Sequence, residues 1–110
     1  MTQYNTNFSE TFPISDTNFN ILLAASTALP ITIPGTPDKS YTALFTIAIG
    51  QSVWVCLNGT AVLPTAGVAT SVRNQELIGV DCRRYVKGGD TLSFISSGTP
   101  QIGVSLLQLP

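Results

Sequence analysis

Histidine is absent from this chain, and only eleven of its 110 residues carry a formal charge, five basic and six acidic. That charged share, 10%, lies well below the roughly 25% usual for soluble globular domains. Long apolar runs are missing too. The first twenty residues lack a basic start followed by an apolar stretch, and residues 21–25 are far too short for a span of about 20 residues. No membrane partner is expected, and the protein is expected to be made and kept in a cytosol. With a net charge of −1 and no long basic block, the chain has no electrostatic footprint for strong phosphate binding, so nucleic acid is not an expected partner.

The same scarcity bears on chemistry. Without histidine, a metal site would have to rest on two cysteines and six carboxylates. Cys56 and Cys82 have no C-x-x-C spacing, and Glu10, Asp16, Asp38, Glu76, Asp81 and Asp90 do not form the spacing of a calcium loop. Neither a metal nor another cofactor is expected. In a chain with no secretion signal the two thiols are expected to stay reduced. A hydrolase needs an activated nucleophile with its base, or two carboxylates across a cleft. The best pair, Glu76 with Asp81, has an odd spacing that sends the two to opposite faces of a regular strand. An enzyme is not expected.

What is there is an apolar share of 44% in a chain long enough for one domain. So little charge leaves Thr, Ser, Asn, Gln, Gly and apolar atoms to cover much of the outside, a surface that is weakly solvated and prone to associate. Residues 1–20 are polar, broken by Pro13, and carry Tyr4, Phe8, Phe12 and Phe19 without a clear period. They read as an extended arm that docks on a surface, as a disordered leader, or as a short edge strand of the same domain. Residues 21–110 then form the folded domain.

From Ile21 onward, short β-branched and aromatic runs alternate with Pro, Gly, Asn and Asp turn signals, which predicts an all-β jelly roll or sandwich of about eight short antiparallel strands. Ile31 and Ile33 between Pro30 and Pro34 suit an edge strand. Residues 41–49 place Tyr41, Ala43, Phe45, Ile47 and Ile49 on one face. Gly50-Gln51 offers a short connection into residues 52–58, where Val53, Val55 and Leu57 oppose Trp54 and Cys56. Asn58-Gly59 suits a type I′ turn with a return strand near Ala61. Residues 75–86 form a further apolar run, Lys87-Gly88-Gly89-Asp90 a turn, and residues 91–96 and 102–109 the last two strands. Near the end, the change of side from Leu106 to Leu107 and Leu109 calls for a bulge or a tail packed on both faces.

The ending RRYVKGGDTLSFISSGTPQIGVSLLQLP resembles the last strands of jelly-roll domains of the C1q and tumour-necrosis-factor type. The whole chain, including QSVWVCLN and the Asn- and Thr-rich leader, resembles small structural proteins of tailed bacteriophages, the jelly-roll cement or decoration proteins among them. The resemblance implies a jelly roll, a dimer or trimer, the major capsid protein as partner, and a place on the outer capsid surface of a virion. Two other functions suit such a fold. One is a receptor- or carbohydrate-binding module of a tail spike or fibre, with Tyr41, Trp54 and Tyr85 as aromatic donors. The other is a small secreted C1q-like ligand.

The candidate interface residues are Tyr4, Phe8, Phe12, Trp54, Arg83 and Arg84. Arg73, Arg83, Arg84 and Lys87 supply four of the five basic side chains, either as a patch for an acidic partner surface or as a solvated edge. Alternation sends Arg83 and Arg84 to opposite faces, so one of them is placed to meet Glu76, Asp81 or a neighbour's carboxylate. Trp54 reads as a core residue, as a side chain covered by a loop, or as an interface anchor.

Overall fold

The computed structural model of the chain describes residues 14–15, 17–79 and 82–108. They build eight strands and no helix: β1 (Thr17–Leu22), β2 (Leu29–Thr32), β3 (Ser40–Ile47), β4 (Val53–Leu57), β5 (Gln75–Ile78), β6 (Cys82–Lys87), β7 (Thr91–Ile95) and β8 (Gln101–Gln108). Two four-stranded antiparallel sheets result. Sheet I has the order β1-β8-β3-β6 and sheet II the order β2-β7-β4-β5. β1 pairs with β8, β2 with β7, β3 with β6 and β4 with β5, so the chain is one long hairpin wrapped into a sandwich. This nested pairing is the connectivity of a jelly roll.

The core lies between the sheets and follows from the period of two. Ala43, Phe45 and Ile47 of β3, Ile102, Val104 and Leu106 of β8, and Val53 and Val55 of β4 all turn inward and are buried. Phe45 from sheet I meets Phe94 from sheet II edge-on, with ring centroids 5.9 Å apart and planes at 72°. Such pairs add to the apolar burial that drives the sheets together.

Several expectations about connections are corrected. Gly50-Gln51 does not close a hairpin, because β3 and β4 lie in different sheets and β3 pairs with β8 and β6. Ile49, expected inside, is 90% exposed beyond the end of β3. Asn58 takes the left-handed conformation expected of a turn, with φ of 55°, but no strand starts at Ala61. Pro64 to Gly67 interrupts the return, and β5 becomes the partner of β4 after a long loop over residues 58–74. The run 75–86 divides into β5 of sheet II and β6 of sheet I. β8 keeps its ladder with β3 through Gln108 without a bulge, so Leu107 points outward. Leu109 lies outside the described residues.

β1 runs through the boundary placed at residue 20. Thr17 to Asn20 are paired with Leu106 to Gly103, as an edge strand of the same domain would be. Just before it, buried Ser15 bonds through its hydroxyl to the carbonyl of Leu106, closing that end of the ladder with a side chain. β2 is the expected edge strand, with Ile31 and Ile33 buried.

The Lys87–Asp90 turn is held from several sides. The Asp90 carboxylate accepts from the Lys87 amide at 2.9 Å and from the Asn58 side-chain amide at 3.2 Å, while Asn58 Oδ1 accepts from the Thr91 amide at 2.8 Å. Gly88 lies against the backbone of Gly35 and Thr36, where a Cβ would collide with the Thr36 carbonyl.

Candidate functional site

Three surfaces carry the residues that the sequence singles out. The first is the seam where the edge strands β5 and β6 face each other across the sandwich. Arg84 stands opposite Ala43 and Glu76 opposite Val55, so both side chains start on the inward side of their sheets. At an edge there is no further strand to cover them, and they meet over the opening. Arg84 Nε donates to Glu76 Oε2 at 2.8 Å and Nη2 to Oε1 at 2.6 Å, a two-pronged ion pair. The third donor, Nη1, reaches the Arg83 carbonyl at 2.6 Å. The Arg84 hydrogen bonds and charge hold the Glu76 carboxyl below its usual range, with partial burial opposing; the same bonds push the Arg84 guanidinium further up. Beneath the pair lies a groove of about 270 Å³ floored by Phe45, Val55, Leu57, Val86 and Leu92.

Arg83 starts from the opposite face, opposite Leu44, as alternation requires. Asp81 lies outside the described residues, and so do Tyr4, Phe8 and Phe12. Of the two arginines proposed for an interface, Arg84 therefore commits its fork to Glu76 within the domain, and Arg83 stands outward on sheet I.

The second surface is the outer face of sheet II. Trp54 is half-buried there and belongs to a small cluster with Cys56, Ala61, Leu63, Ala28 and Ile95. Of its three readings, the one inside the core is overturned, because Val53 and Val55 take the inward positions of β4 and leave Trp54 facing out. The 58–74 loop covers it. Gln75 clips that loop by accepting from the Val62 amide at 2.9 Å and donating to the Val62 carbonyl at 2.8 Å. Ser93 Oγ accepts from the Ala61 amide at 3.0 Å. Cys56 is buried within this cluster and Cys82 is half-buried on the inward side of β6; both are free.

The third surface was not singled out from the sequence. On the outer face of sheet I, β1 presents Asn18, Asn20 and Leu22, β8 presents Gln101, Gly103, Ser105 and Leu107, and β3 presents Thr42, Leu44 and Thr46. None of these side chains is charged. The charges of this face stand on β6, as Arg83 and Lys87 beside Tyr85. The signal was available in the alternate positions of three strands, but only the strand order places them side by side.

The aromatic donors considered for a sugar do not converge. Tyr41 points inward, Trp54 faces out of sheet II, and Tyr85, 61% exposed, faces out of sheet I, where its hydroxyl lies 2.8 Å from Ser40 Oγ. Among the described residues no three His, Cys, Asp or Glu side chains cluster in a way that could hold a metal ion. No protein family, curated protein or solved structure was found to match the chain.

Proposed function

We propose that this chain is a non-enzymatic structural subunit of a virion, a cement or decoration protein that staples neighbouring capsid subunits on the outer surface of a bacteriophage head. The observation that carries the reading is the uncharged outer face of β1, β8 and β3. A neutral face of Asn, Gln, Ser, Thr, Gly and Leu avoids the large cost of desolvating a charge, and its amides and hydroxyls can be satisfied by hydrogen bonds across an interface. It is suited to a partner protein, with the charges of the sheet confined to Arg83 and Lys87 on β6. The nested sandwich supports the same reading, being the fold that the likeness to cement proteins implies.

The mechanism is mechanical. Each subunit, alone or as a dimer or trimer, adds contact across the seam between capsomers; about 1,600 Å² is the usual scale for a stable interface. Repeated over a shell, modest contacts sum to a large resistance against opening.

The test is to purify the particles of the phage that encodes the chain, quantify it by mass spectrometry, and locate it with gold-labelled antibody. Many copies spread over the head are expected, with stripped heads recovering them when purified protein is added back. Absence from the particle overturns the proposal. Labelling confined to the tail overturns it in favour of a receptor-binding module.

A further inference from the structure

The sandwich has four edge strands, and they are protected unequally. β2 contains Pro30, which has no amide hydrogen to donate, and Pro34 follows it. β5 is four residues long, carries Glu76, and is clipped to the 58–74 loop through Gln75. β6 bears Arg83, Arg84 and Lys87. These are the ordinary means of keeping an edge from pairing with another chain: proline, shortness, cover and charge. Among the described residues β1 has none of them. It is six residues long, contains no charge and no proline, and among the described residues pairs on one side alone, with β8. Its inward side chains, Phe19 and Ile21, pack against the core yet remain partly exposed.

We propose that β1 is the assembly strand: two copies of the chain join their β1 strands antiparallel across a twofold axis, so that sheet I continues unbroken from one subunit into the next. The occupant is a second copy because the edge matches itself. In an antiparallel pair opposed side chains share a face, so in a register centred on Phe19 the two copies of Phe19 meet and Ile21 meets Thr17 on the core side, while Asn18 meets Asn20 outside, where amides can exchange hydrogen bonds. A charged partner strand would find no opposite charge on β1. Asp16, the charge nearest to the strand in the sequence, lies outside the described residues. The inference shares with the proposed function only self-association and does not depend on a virion.

Sedimentation velocity on the full chain from about 5 to about 200 µM, a range suited to a small interface, tests it together with hydrogen exchange. A monomer–dimer equilibrium is expected, with β1 amides gaining protection as concentration rises and β2 amides unchanged. Asn18→Lys and Asn20→Lys, both at exposed outward positions, should keep the β circular-dichroism spectrum and raise the dissociation constant tenfold or more. A chain that stays monomeric throughout overturns the proposal. A dimer insensitive to both lysines, with constant β1 protection, also overturns it while leaving self-association through another surface intact. If removing residues 2–13 turns a monomer into a dimer, the leader covers this edge and the proposal fails for the full chain.

Discussion

Glu76 on β5 and Arg84 on β6 belong to different sheets, and their ion pair closes the open edge of the sandwich over an apolar groove. It is the one tie between sheets I and II, among the described residues, made by oppositely charged side chains.

Glu76→Gln should lower stability by about 0.5 kcal/mol, the scale of a half-exposed pair. Because the folded-state pKa of Glu76 is depressed, the pair's contribution is complete above the unfolded carboxylate value of about 4.3 and is lost as pH falls through the folded value. Urea titrations should therefore show a constant gap between wild type and variant at neutral pH that narrows as pH falls below about 4.3. A gap that does not narrow would mean that the carboxylate charge contributes nothing.

Phe45→Ala removes one half of the edge-on pair at the centre of the core. A loss of about 3–5 kcal/mol is expected in chemical denaturation, for a buried phenylalanine whose cavity cannot collapse. A loss under about 1 kcal/mol would mean that the two sheets are not packed through this residue.

Gly88→Ala places a methyl group against the Thr36 backbone. Overpacking of this kind costs about 1–3 kcal/mol, read as a fall in the thermal midpoint. Unchanged stability would show that the 34–39 loop is not pressed onto the Lys87–Asp90 turn.

Cys82 is half-buried at an edge strand, whereas Cys56 is buried beneath the 58–74 loop, its thiol 3.7 Å from the Arg73 carbonyl. Timed alkylation followed by mass spectrometry should modify Cys82 first and Cys56 only with loop opening or unfolding. Equal rates would contradict the loop's cover.

Much of the core was legible because a strand with one buried face shows its period locally: Ala43, Phe45 and Ile47 alternate with Thr42, Leu44 and Thr46. The Lys87–Asp90 turn was legible for the same reason, since its chemistry lies within four residues. Pairing was not. Nothing near Thr17 in the sequence points to Leu106, and Asn58-Gly59 carries hairpin chemistry although the strand that returns to β4 starts at Gln75. Trp54 was ambiguous because both faces of β4 are apolar, one for the core and one for a loop whose course only the fold reveals. Alternation placed one of Arg83 and Arg84 to meet Glu76, Asp81 or a neighbour's carboxylate, and the strand pairing decides that Arg84 meets Glu76. The neutral face of sheet I was missed because it is assembled from three distant segments.

The nested strand order also governs when the molecule can come into being. β8 lies inside sheet I, between β1 and β3, yet it is the last of the eight described strands to be made. Until then β1 has no ladder to join, although Phe45 of β3 can already meet Phe94 of β7. A domain built on such distant pairings folds slowly and only after its synthesis is nearly complete. β1 therefore waits unpaired while the other strands of this domain are made, and crowded expression, by bringing many nascent β1 segments together, favours exchange of that strand between neighbours.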